Sequence, residues 1–191
     1  NMAVGGEALS IDLWVAPRAY EWLDPNGDRL TAIISQHSKS DNQGFILGMS
    51  RHGSWSFQLG LGDRWIEVWD DGHPIEKYQW SHITAVFDGA KGEIKLYKNG
   101  ELVNSKLIFE GAKIYKALET PLLIGKNNES DTIGPFSKEM FSGLMDEVRI
   151  YKTALSEKTI KKLHKAGTVK GEIKEVYFDD IWFDDSLLLN D

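Results

Sequence analysis

Apolar and polar side chains alternate with a period of two along most of the chain, in short runs closed by Gly, Pro, Asn or Asp. In ALSIDLWVAP, Leu9, Ile11, Leu13 and Val15 share one face, Asp12 and Trp14 share the other, and Pro17 stops the run. Phe45, Leu47 and Met49 in GFILGMS, then Trp55, Phe57 and Leu59 in SWSFQLG, keep the same phase. A period of two is that of a half-buried strand, and many such runs separated by turn residues predict an all-β sandwich. The clearest stretch is WSHITAVFDGAKGEIKLYKNGELVNSKLI, whose runs 80–87, 93–98 and 101–108 are joined by DGAKG and by Asn99-Gly100. Asn and Gly both tolerate positive φ, so that pair between alternating runs predicts a tight hairpin and an antiparallel meander.

One stretch changes period. LSEKTIKKLHKAG repeats like a helix, with Ser156 as N-cap, Glu157 near the positive end of the dipole, and Leu155 and Ile160 spaced as a hydrophobic staple. Lys161, Lys162, His164 and Lys165 suit the negative end, and Gly167 suits a left-handed C-terminal cap, so the basic run is read as helix electrostatics and not as a ligand site. Beyond it, EIKEVYFDDIWFDDSLLLND alternates poorly and sets two Asp pairs among aromatics. The expected organisation is one β-sandwich module over 1–168 and a terminal strand or linker over 169–191.

Composition narrows the function. A chain of 191 residues suits one domain with a single core. A net charge of −7 without a basic stripe argues against nucleic acid. The absence of cysteine excludes disulfides and thiolate chemistry. No apolar run approaches the length of a membrane span. NMAVGGEALS does not read as a signal peptide, so an exported parent would carry its signal upstream.

The segment FSGLMDEVRIY places an acid among apolar positions, since strict alternation puts Leu144, Asp146, Val148 and Ile150 on one face. That predicts a partly buried Asp146, which needs partners. Two readings stand: a structural pin accepting backbone N–H groups from a neighbouring turn, or a calcium ligand. In EWLDPNGDRL, Asp24, Asn26 and Asp28 begin like a calcium loop, but glycine falls too early and Ser35 stands where the closing Glu belongs. A Pro-Asn-Gly turn explains that segment better.

Catalytic patterns are missing. No pair of acids is spaced for glycoside hydrolysis on one strand, no two histidines have a metal-binding spacing, and neither Gly-x-Ser-x-Gly nor a phosphate loop occurs. Sugar recognition needs flat aromatics flanked by planar polar groups. RHGSWSFQLGLGDRWIEVWDDGH is densest in those parts. Trp65 and Trp69 flank Glu67 on one face of a short strand, opposite Ile66 and Val68; alternation within one strand leaves open which face is the core. Arg51, His52, Asp71 and His73 are expected at nearby loop tips, with Gln36 and His37 as further loop polars, and these eight residues form the candidate ligand site.

WSHITAVFDG, IKLYKNGELV, LLIGKNN and FSGLMDEVRIYKTALSEKTI together resemble the laminin-G-like branch of the concanavalin A-like lectin/glucanase superfamily. Trp80, His82, Asp88, Gly89, Leu96, Tyr97, Asn99, Gly100, Gly143, Asp146, Glu147, Val148, Arg149, Ile150 and Tyr151 carry that likeness. It implies a two-sheet antiparallel jelly roll with one short C-terminal helix, and it favours a structural calcium ion at Asp146. A narrower likeness lies in WVAPRAYEW, GFILGMSRHGSWSFQLGLG and EMFSGLMDEV, which are similar to the N-terminal accessory module of bacterial glycoside hydrolases of family 32; FDDSLLLND is similar to the stretch leading into their catalytic propeller. That likeness implies a non-catalytic, fructan- or other glycan-binding module outside the cell, partnered by its own catalytic domain; a monomer is expected.

Overall fold

The alternating runs become strands, and the described strands stack as two five-stranded antiparallel sheets beside a separate two-stranded one. The computed structural model describes residues 3–20, 30–128, 132–133, 136–137 and 140–169. In chain order the strands are β1 (Ala8–Pro17), β2 (Thr31–Ser38), β3 (Gln43–Met49), β4 (Trp55–Gly60), β5 (Trp65–Asp70), β6 (Ser81–Asp88), β7 (Glu93–Lys98), β8 (Glu101–Leu107), β9 (Leu123–Ile124), β10 (Thr132–Ile133), β11 (Phe136–Ser137) and β12 (Gly143–Tyr151). A 3-10 turn, Arg51–Gly53, precedes β4, and helix α1 (Glu157–Val169) follows β12. The sheet orders are β12-β1-β6-β7-β8 and β5-β4-β3-β2-β9. The DPNG turn and the acidic tail lie outside the described residues.

The in-phase residues fill the space between the sheets. Leu9, Ile11, Leu13 and Val15 of β1 and Ile83, Ala85 and Phe87 of β6 meet Phe45, Leu47 and Met49 of β3 and Trp55, Phe57 and Leu59 of β4 in one buried cluster. Each large side chain so buried contributes about 1.5–3 kcal/mol relative to an exposed one. The hairpin between β7 and β8 forms as expected, with Asn99 at φ 52° and Gly100 at φ 81°. Asn99 also ties the turn to β6, its Oδ1 accepting the His82 N–H at 2.9 Å. At the edges, Asn104 and Lys106 of β8 donate to the Trp69 and Glu67 carbonyls of β5, which caps two carbonyls of an edge strand and links the sheets.

Helix α1 covers the outer face of the first sheet. Ile160 is buried against Val86 and Tyr97, with Leu155 packed beside them, and the Ser156 hydroxyl accepts the Thr159 N–H at 3.2 Å as the N-cap. The C-terminal expectation fails, because the helix continues through Gly167 to Val169. Gly167 is needed for clearance instead: a Cβ there would lie 2.1 Å from Nε1 of Trp14.

The expected burial of Asp146 is also overturned. The β1–β12 register slips between Asp12 and Trp14, and Glu147 takes a left-handed φ of 52°. This bulge changes the phase: Met145 faces the core before it, Val148 and Ile150 after it. Asp146 therefore sits opposite Trp14, exposed, with Oδ1 accepting the N–H of Glu147 at 2.7 Å. The buried acid of this sheet is Asp12, with 0% exposure. Its Oδ2 accepts the Thr84 hydroxyl at 2.7 Å and its Oδ1 accepts from Arg149 at 3.3 Å. His82 Nε2 lies 2.9 Å from Oδ2, near enough for an ion pair but out of line for a hydrogen bond. Arg149 also pairs with Glu147 at 2.7 Å, and these two carboxylates hold its guanidinium charged.

Candidate functional site

Pairing with β4 settles the orientation of β5. Phe57 and Leu59 point into the core, and their partners Val68 and Ile66 do the same. Trp65, Glu67 and Trp69 consequently lie on the outer face of the second sheet. Both indoles are half-buried there against Leu30, Ala32 and Ile46.

Their polar edges are fixed. Trp65 Nε1 donates to Gln58 Oε1 at 3.0 Å, and Gln58 Nε2 donates to the Ser56 hydroxyl at 3.1 Å. Trp69 Nε1 donates to Glu67 Oε2 at 3.0 Å. The other Glu67 oxygen receives Lys39 Nζ at 3.1 Å, while the same ammonium sits 5.9 Å from the centre of the Trp65 ring. The His37 ring meets Trp65 at a tilt, with centroids 5.7 Å apart. Two oriented indoles thus flank a carboxylate that retains lone pairs for further donors. Such a strip can offer apolar contact to C–H surfaces and accept hydroxyl hydrogens.

The other expected site residues scatter. Gln36 and His37 are not loop residues but neighbours on β2, and they point to opposite faces. Gln36 is fully buried, accepting the Val4 N–H at 2.8 Å and donating to the Thr120 carbonyl at 3.0 Å, so it braces the core. His37, buried against Trp65, belongs to the strip.

Asp71 and His73 are exposed on the loop after β5. His73 Nδ1 lies 3.1 Å from Asp70 Oδ1, and His73 lines a cleft of about 410 Å³ with Glu76, Lys98, Asn99 and Glu101. His52 is exposed at a left-handed φ of 63° in the 3-10 turn, which meets that loop through the Ile75 N–H to Gly53 carbonyl bond. The Arg51 side chain lies outside the described residues. Trp65, Trp69 and His37 therefore form one group, while Asp71 and His73 share the loop after β5 and His52 lies on the 3-10 turn that meets it. Lys39 and Gln58 join the strip without having been expected; Gln58 had a signal, as the polar alternate of SWSFQLG.

No three His, Asp or Glu side chains converge as metal ligands among the described residues. Asp146 commits one carboxylate oxygen to its own bulge, and Glu147 holds Arg149.

A family model for the concanavalin A-like lectin/glucanases superfamily matches residues 2–161. The chain belongs to that superfamily. No curated protein matches it in sequence. Similar solved structures include domain 4 of AbnA, a GH43 extracellular arabinanase from Geobacillus stearothermophilus, in complex with arabinotriose. It is 22% identical, covers 84% of this chain and 68% of its own, and has a TM-score of 0.57. The Ruminococcus gnavus IT-sialidase CBM40 bound to α2,3 sialyllactose is 14% identical over 83% of each chain, with a TM-score of 0.59. The SAP-like pentraxin of Limulus polyphemus is 18% identical over 85% of this chain and 71% of its own, with a TM-score of 0.58. At these identities the likeness shows the fold of the superfamily module, a two-sheet jelly roll with one short helix.

Proposed function

We propose that the chain is a non-catalytic carbohydrate-binding module, carried outside the cell by a fructan-acting glycoside hydrolase whose catalytic domain it serves. The observation that carries the binding reading is the outward pair Trp65 and Trp69 with Glu67 between them, their indole N–H groups tied down and their rings half-exposed. Support for the class comes from the arabinotriose-bound domain of the arabinanase and the sialyllactose-bound module of the sialidase, which share the fold. Support for fructan is the sequence likeness to family 32 accessory modules. The strip holds one carboxylate among its described side chains, whereas glycoside hydrolysis employs two across a cleft.

The test is a titration of the chain with levan, inulin and short fructo-oligosaccharides, followed by Trp fluorescence. Saturable binding with a Kd in the micromolar to millimolar range, about −8 to −4 kcal/mol, lost in Trp65→Ala or Trp69→Ala, is expected. Release of reducing sugar on incubation with the same polymers would refute the non-catalytic assignment.

A second reading follows from the packing of both indoles on Leu30, Ala32 and Ile46: a structural interdomain module with no sugar site. Acrylamide quenching separates the two. Ligand-protected quenching of Trp65 and Trp69 supports binding, and quenching unaffected by any of the glycans supports the structural role.

A further inference from the structure

Glu67 occupies the middle of the strip and is bonded on both oxygens. Oε2 accepts the Trp69 indole N–H at 3.0 Å, and Oε1 meets Lys39 Nζ at 3.1 Å. One carboxylate therefore orients one indole and pins a cation across the other, 5.9 Å from its ring centre. Of Arg64 and Lys106, the cations next along the strip, only the first is paired with an acid. Arg64 is bonded through two nitrogens to Asp63, at 2.7 and 3.0 Å, and Lys106 donates to the Glu67 backbone carbonyl at the strand edge. An acidic sugar arriving at the indoles would meet the Glu67 carboxylate, with the nearest ammonium already neutralised. A neutral sugar meets no such penalty, and a pair of adjacent hydroxyls can donate to the carboxylate lone pairs that stay open. Trp65 and Trp69 are four residues apart on one face, about 13 Å along the strand, which is longer than a single ring and suits a linear chain.

Resting on the sugar-binding reading above, we propose that Glu67 is the specificity-determining residue of the strip, selecting uncharged, diol-bearing units of a linear oligosaccharide and rejecting acidic ones by keeping Lys39 neutralised over Trp65. Recognition of charge is thus set by one residue whose removal frees a cation, so the same strip should gain acid binding when Glu67 is lost. A role confined to positioning Trp69 would weaken both ligand classes together and leave their ratio alone.

The experiment is calorimetric titration of the full chain at fixed ionic strength with two panels. One holds inulin, levan and arabino-oligosaccharides; the other holds oligogalacturonates and sialyllactose. The wild type is expected to bind a neutral member at least about tenfold more tightly than any acidic one, and Glu67→Gln to bring the two classes within about threefold, chiefly by strengthening the acidic ligands. Circular dichroism and melting temperature check that the variant is folded, and Glu67→Ala replaces it if it is not. Equal binding of both classes by the wild type, or an unchanged ratio in the folded variant, would overturn the assignment to Glu67 while leaving sugar binding intact. Binding of neither class by the wild type would overturn the sugar reading itself, and the selectivity with it.

Discussion

Replacing Asp12 by alanine is the most demanding test of the fold, because it separates two acids one bulge apart. Asp12 is fully buried and gathers Thr84, Arg149 and His82, all within 3.3 Å. Truncation leaves the Thr84 hydroxyl, itself fully buried, without its acceptor, for about 1–3 kcal/mol. It also takes one carboxylate from Arg149, which keeps Glu147. Breaking a buried charged pair by removing one partner typically costs about 3–5 kcal/mol in all. For a domain of this size that is a fall in Tm of about 6–20 °C. Urea unfolding followed by Trp fluorescence measures it, with Asp146→Ala as the comparison. Asp146 is exposed and holds one backbone N–H, so its loss should cost only about 0.5–1.5 kcal/mol. The double variant Asp12→Ala, Thr84→Val should recover about 1 kcal/mol over Asp12→Ala, since no buried hydroxyl is then stranded. A loss below about 1 kcal/mol at Asp12, or a loss at Asp146 equal to it, would refute the assignment of the buried acid.

Gly167→Ala should destabilise even though the same change inside a helix ordinarily gains about 1 kcal/mol, because the new Cβ would fall 2.1 Å from the Trp14 ring nitrogen; a rise in Tm would show that α1 does not sit so close. His164 stacks on Trp14 and faces His82, and burial first, then the His82 charge, lower its pKa. The unfolded chain takes that proton more readily, so the stability contributed is fully present above pH of about 6.5 and is lost as pH falls through the folded value. Melting between pH 7.5 and 5 should therefore decline less steeply in His164→Leu, and an identical slope would remove His164 from the account. Calcium added to EDTA-stripped protein should leave Tm unchanged, since Asp146 is exposed and engaged with its own bulge; a rise abolished by Asp146→Asn would restore the metal site.

The fold was legible wherever a strand's pattern stood beside a turn of strict chemistry. The β6–β7–β8 meander follows from alternation plus Asn99-Gly100, because few residue pairs satisfy two successive left-handed φ values. Strand β2, TAIISQHS, escapes the alternation rule for a physical reason: it is buried on both faces, so Ala32, Ile33 and Ile34 run together and Ser35, Gln36 and His37 fill enclosed positions that look like loop polars. Burial on both faces erases the alternation that identifies a strand. The helix start was legible from Ser156, yet its end was not, because a glycine that admits a neighbouring indole has the same letter as one that caps.

Site residues were legible in proportion to how much of their environment is local. Trp65, Glu67 and Trp69 share a face by periodicity alone, but which face is outward depends on the register with β4, where Val68 pairs with Phe57 and Ile66 with Leu59. That is long-range information, and a single strand cannot supply it. Lys39 reaches Glu67 from 28 residues away, so no spacing rule finds it. Asp146 shows the converse failure. Alternation was read across a position where Glu147 adopts φ 52°, and one inserted residue carries every earlier side chain to the opposite face. Glu is not a residue that announces a left-handed turn, so the bulge left no compositional mark. Its partner strand did leave one: Asp12 stands among Leu, Ile and Val of β1 beside Trp14, on the face that α1 later covers. An acid on a strand's polar face becomes a buried one when a second layer closes over it, and the helix pattern at 156–167 is the sequence feature that foretells that layer.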